Sequence, residues 1–177
     1  MPIPDLSCDT TASCTLLYQV VQSVVQVAYD AVAKQVDPAA CDDFTGLVTH
    51  AEPHHPDGDY VAGWIAGIVP RDRNQNTTAG LVFPRMVAEI GVKLMESGYP
   101  TIGQDGPPPL GALAKAALHS YSHVEAMARA IFANVGLGGQ DKILRDCGWQ
   151  GMSTWRPIPP SGGLIGWTFT VSLSVPT

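Results

Sequence analysis

Charge is scarce in this chain. Asp, Glu, Lys and Arg make up 15% of its 177 residues, and the ten basic ones are scattered rather than clustered. Gripping nucleic-acid phosphate takes clustered Lys and Arg, so with a net charge of −6 the chain is not built around such a surface. No run of about eighteen apolar residues occurs, so no membrane span is expected. Met1-Pro-Ile-Pro-Asp-Leu6 has neither a basic nor an apolar leader region, so no secretory signal is expected and the cytoplasm is the expected compartment. Cysteine is rare as well. Cys8, Cys14, Cys41 and Cys147 match no zinc or redox spacing and read as four reduced, mostly buried thiols.

Catalytic punctuation is equally thin. There is no Gly-x-Ser-x-Gly, no Gly-Lys-Ser/Thr and no His-Glu-x-x-His. Ser161-Gly-Gly reads as a turn, and Gly136-Leu-Gly-Gly139 as the end of a helix rather than a phosphate cradle. No catalytic residue, cofactor-binding residue or metal ligand is assigned from the sequence, and the expectation is a protein that is not an enzyme. Internal repeats and heptads are absent too.

What the chain does have is hydrophobic patterning, with 45% apolar residues, 18 Gly and 15 Pro. That suits a single globular domain with many turns and with surface left over for partners. Its clearest element lies at the end. From Trp167 to Val175, Trp167, Phe169, Val171, Leu173 and Val175 alternate with Thr168, Thr170, Ser172 and Ser174. Period-two alternation puts the apolar groups on one face of a strand and the hydroxyls on the other. A Pro/Gly-rich turn starting at Trp155 precedes it.

Two helices show a different period. From about Thr15 to Gln35, Leu17, Val20, Val21, Val24, Ala28, Ala31 and Val32 recur every three or four residues, with Ser13 or Thr15 as N-cap. Many valines lower the intrinsic helix propensity, so packing must hold this segment in place. From Leu110 to Ala133, after Pro107-Pro-Pro109, a second stripe runs through Leu113, Ala117, Tyr121, Val124, Ala128 and Ile131. Short strands are expected at Phe44–His50, at Tyr60–Val69 and around Met152–Trp155, with a helical turn near Asp141–Asp146. Leu81 to Glu96 fits both periods, but Pro84 and Gly91 favour a strand. The expected fold is α+β: an antiparallel or mixed sheet with two main helices on one face. Residues 1–12 are expected to form an arm, and residues 50–59 and 71–80 to form extended, mobile loops.

The ending Pro157-Ile-Pro-Pro-Ser-Gly-Gly-Leu-Ile-Gly-Trp167, running into an alternating strand, resembles tail terminator proteins of long-tailed bacteriophages. The likeness is to the lambda-type proteins, especially those of actinobacterial phages. The order of landmarks from about Thr15 to Val175 is also similar: an opening helix, Cys41-Asp-Asp43 before a strand, a strand ending at Tyr99-Pro-Thr101, an alanine-rich helix after prolines, and Cys147. The resemblance implies a structural virion protein of the tail and neck, assembled in the host cytoplasm. It would form a homo-hexameric ring that ends tail-tube polymerisation and joins tail to head. Implied partners are other copies of itself, the tail tube protein and a head-completion or neck protein. DNA would pass through the lumen without specific binding, and no membrane is involved. The alternatives are another neck or head-completion protein, or a small metal-dependent hydrolase using the His50–Asp59 loop.

Candidate interface residues are Trp155, Trp167, His54, His55, Arg73 and Asn74. Tryptophan offers large contact area at low entropy cost, and the others sit in the polar loops. His50, Glu52, His54 and His55 have metal-ligand chemistry, but a Pro-punctuated loop supplies poor convergence, so they read as a solvated loop touching a neighbour. His119 and His123, spaced i and i+4, read as a half-buried polar rim making local hydrogen bonds.

Overall fold

A computed structural model describes residues 16–33, 44–54, 58–70, 85–101, 106–136 and 141–176. The expected arm at 1–12, the loop at 71–80 and the proposed N-caps Ser13 and Thr15 lie outside the described residues. The elements run α1 (Leu16–Ala33), β1 (Thr45–Val48), β2 (Tyr60–Pro70), β3 (Arg85–Glu96), α2 (Leu110–Gly136), α3 (Lys142–Asp146), β4 (Gly148–Met152), β5 (Arg156–Ser161) and β6 (Leu164–Pro176). The fold is α+β, and the sheet is mixed, with order β1-β2-β3-β6-β4. Among the described residues only β1 and β2 pair in parallel.

The centre of the sheet is the β3–β6 pair, in register from Arg85↔Pro176 to Glu96↔Ile165. One face is apolar on both strands: Ala88, Ile90, Val92 and Leu94 lie beside Phe169, Val171, Leu173 and Val175, all buried. That face meets α1 and α2, whose Val20, Val21, Val24, Val25, Val124, Met127 and Ile131 complete one core. The alternation at 167–175 holds, and so does the choice of a strand for Leu81–Glu96 over Arg85–Glu96, residues 81–84 lying outside the described residues. Ser174 departs from the wet hydroxyl face, since it is only 1% exposed.

Close approach of α1 depends on Gly63. A Cβ there would sit 2.4 Å from Val25 Cγ2, so the valine-rich helix rests directly on the β2 backbone. On the opposite face, Trp64 lies across Gly91, its partner in β3, where a Cβ would meet the indole at 2.3 Å. Each glycine is the cavity into which a larger group packs.

Two expectations need correction. The strand placed around Met152–Trp155 is β4 at Gly148–Met152, and the supposed turn contains a further strand, β5. β4 pairs with β6 from Ser174 to Val171, and β5 pairs with it from Thr168 to Leu164. The two therefore lie end to end along one edge of β6. At the join, Ser153 N–H donates to the Thr170 carbonyl and Ser153 Oγ accepts from Thr170 N–H, both at 2.8 Å. Prolines removed the usual strand signal, yet an edge strand needs donors on one side only, so Pro157, Pro159 and Pro160 are compatible with it.

The described part of the 50–59 crossover is tied down rather than free. Lys93, buried on the face away from the helices, donates to Glu52 Oε1 at 3.2 Å and to the Pro53 carbonyl at 2.9 Å. Asp59 Oδ1 accepts from Ser97 N–H at 2.5 Å. A buried ammonium needs such partners, and the loop supplies them.

Candidate functional site

The β3 alternation that sends Ala88, Ile90, Val92 and Leu94 toward the helices also sends Glu96 there. A carboxylate thus occupies the last core-facing position of the strand, 4% exposed. Opposite it stands α2. Its residues 119 and 123 are one turn apart, so both imidazoles project from one side of the helix. His123 is 1% exposed, and its Nδ1 is in short contact with Glu96 Oε1. His119 is exposed and packs edge-on against His123, with ring centroids 4.2 Å apart.

One donor atom from each of Glu96, His119 and His123 lies within 4.8 Å of the other two, and this is the only such His/Cys/Asp/Glu group among the described residues. The pair at its centre is under-satisfied. Glu96 Oε2 and His123 Nε2 are buried and find no hydrogen-bond partner among the described residues. Orphaned polar atoms of this kind carry a desolvation cost of about 1–3 kcal/mol each, more when charged. The expected polar rim with local hydrogen bonds is therefore wrong for His123: its partner comes from another element, 27 residues earlier.

Two grooves flank this part of α2. One, of about 730 Å³, is lined by Gly98, Pro100, Ala112, Lys115, Leu118 and His119, and it opens His119 to solvent while His123 stays buried behind it. The other, about 250 Å³ and mostly apolar, lies between Ala117 and Tyr121 of α2, Pro157–Pro160 of β5, and Trp167.

The predicted interface residues scatter. Trp167 is half-buried, donates from Nε1 to Ser120 Oγ at 2.9 Å and packs against Tyr121 at 5.4 Å. Trp155 is half-buried too, with Nε1 2.8 Å from Met152 Sδ and its ring 5.9 Å from Phe169. His54 is exposed, while His55, Arg73 and Asn74 lie outside the described residues. Of the loop read for metal chemistry, Glu52 serves Lys93, and no metal-ligand group forms among its described members.

Sequence reading missed a second feature of α2. Leu110, Leu118, Tyr121 and Phe132 are 84%, 70%, 54% and 45% exposed, so Tyr121 faces outward rather than joining the core stripe expected for it. At about 100° per residue they fall within roughly 80° of arc, a second and mainly apolar stripe that Glu125 interrupts. Within it Tyr121 and Phe132 each lean on a tryptophan, Trp167 and Trp149. Neither a family model nor a curated protein matches the chain.

Proposed function

We propose that this chain is a structural virion protein, a tail terminator whose ring ends tail-tube polymerisation and joins the tail to the neck. The observation that carries the reading is the outer stripe of α2. An 18.7 kDa chain that leaves four large apolar side chains exposed along one helix has a surface suited to burial by a neighbour. The occupant in this reading is the next copy of the same chain. A head-to-tail contact repeated around an axis closes into a ring.

The sheet edges fit that mode of assembly. β1 is only four residues long, and the other edge carries Pro157, Pro159 and Pro160 on β5. Short and proline-bearing edges resist open-ended strand addition, which leaves side-chain surfaces for association. In mechanism the ring needs no catalysis. One face binds the last tube ring, the other presents a different surface to the head-completion protein, and a lumen bearing the acidic balance lets DNA pass without sticking.

Leu118→Glu tests the reading, because Leu118 is largely solvent-exposed and can change without disturbing the core. The full-length variant is expected to keep the wild-type unfolding midpoint and to fail in ring assembly, since burying the new charge is costly. A phage carrying it, or lacking the gene, should make overlong tails that do not join heads. Tails of normal length attached to filled heads would overturn the assignment and favour an accessory or head-completion role.

A further inference from the structure

We propose that Glu96, His119 and His123 form a binding site for one divalent transition-metal ion, of which zinc is the best fit. Two imidazoles and one carboxylate are a donor set that zinc accepts, with a fourth position left for water. Two regular elements hold the set, the end of β3 and the middle of α2, rather than a loop.

Zinc bonds to these donors are about 2.0–2.2 Å long, so ligands around one ion stand no more than about 4.4 Å apart. The three donors lie within 4.8 Å of one another, so a small adjustment brings them to bonding distance. His119 is exposed and can make that adjustment. Glu96 and His123 are held by their surroundings, with side chains 6% and 2% exposed.

Two buried, idle polar atoms point to a ligand independently of spacing. Glu96 Oε2 and His123 Nε2 have no partner among the described residues although each belongs to a side chain more than nine-tenths buried. Their partner groups, Oε1 and Nδ1, already face each other in a short contact. Binding an ion would exchange that direct contact for one bond from each group to the metal. Rotation of either terminal group changes which of its two atoms faces an ion. An ion there would take up the idle donor capacity and offset the carboxylate charge. Entry is open, because His119 lines the larger groove beside Gly98 and Lys115.

The role assigned is a clamp. The site ties α2 to the end of the central strand, close to where Ser120 also holds Trp167. It stands apart from the ring reading, and its test uses no assembly assay. The full chain, purified without a histidine tag, should bind one zinc per chain in a calorimetric titration, and cobalt(II) should show the visible absorption of a tetrahedral site. Zinc should raise the unfolding temperature, and chelation should reverse the rise.

His119→Ala, at an exposed position, should fold normally and bind zinc roughly a hundredfold more weakly, the upper end of what losing only a supporting contact costs. Glu96→Gln should weaken binding similarly while keeping side-chain volume. Replacing His54 and His55 by alanine should leave binding unchanged. No zinc uptake by the wild type would overturn the proposal and leave a metal-free carboxylate–imidazole pair. Equal affinity in wild type, His119→Ala and Glu96→Gln, or loss of binding in the His54/His55 variant, would also overturn it.

Discussion

Replacing Gly63 by alanine probes whether the seat of α1 on the sheet is as tight as its geometry implies. The added methyl would lie 2.4 Å from Val25 Cγ2 and 3.3 Å from Val21 Cγ1, against an ordinary carbon–carbon contact of about 3.5–4.0 Å. Val25 is fully buried in a helix, where a β-branched side chain has one favoured rotamer, so its methyl cannot swing aside cheaply. Turning it off that rotamer costs about 0.5–1.5 kcal/mol, and overpacking a close-packed core by one methyl typically costs about 1–3 kcal/mol. Against this stands a gain of about 0.4–1 kcal/mol from restricting the unfolded chain. The net expectation is destabilisation by about 1–2 kcal/mol, read as a lower urea midpoint at unchanged slope. Val25→Ala alone should cost about 1.5–3 kcal/mol through lost burial. In the double variant the new methyl of residue 63 enters the space vacated by Val25. The two costs should then fall short of additivity by at least about 1 kcal/mol. A neutral Gly63→Ala, or a double variant that is additive within about 0.5 kcal/mol, would refute this account of the helix–sheet contact.

Two other outcomes are expected. Deleting residues 167–177 removes Phe169, Val171, Leu173 and Val175 from the core, at about 1.5–3 kcal/mol each, against a usual total stability of about 5–15 kcal/mol. The truncated chain should therefore lack a cooperative unfolding transition, and a native-like one would contradict the central place of β6. Tyr60 is pushed up to about 12, chiefly by burial and secondarily by the Glu52 carboxylate. Below pH 10 its phenol is neutral in both states and its contribution is complete; between pH 10 and 12 the unfolded chain ionises first, so stability falls by about 2–3 kcal/mol. Tyr60→Phe should remove that part of the loss, at little cost below pH 10 because the hydroxyl has no partner among the described residues. An alkaline profile identical in the two proteins would count against it.

The parts of the fold legible in sequence were those where one face is buried and the other wet. β6 and, apart from Tyr121, the core stripe of α2 follow a clean period, because burial on one side selects every second or every third-to-fourth residue. β3, by contrast, fitted two periods and was told apart by Pro84 and Gly91. β5 was hidden because its prolines mimic a turn, and only its position at the edge makes them tolerable. β4 was displaced because the chain breaks its pairing at Ser153, where a serine hydroxyl replaces a ladder acceptor.

The candidate site divides in the same way. The i, i+4 spacing of His119 and His123 was visible, whereas the core-side place of Glu96 emerges only once β3 is known to be a strand through residue 96. Neither signal names the other, since Glu96 and His123 are 27 residues apart and meet only when α2 folds back over the sheet. The loop from His50 to Asp59 looked richer in ligand chemistry, but the fold commits its Glu52 to a buried lysine on the opposite face.

The sequence by itself therefore determined the fold class, the helices, the central strands and the lack of familiar catalytic motifs, all of which rest on local periodicity and residue type. Tertiary structure alone decided the order of the strands, the burial of Glu96 against His123, and the second apolar stripe left uncovered on α2. The physical reason is that burial is a property of what packs against a residue, and the packing partners here come from segments far apart in the chain.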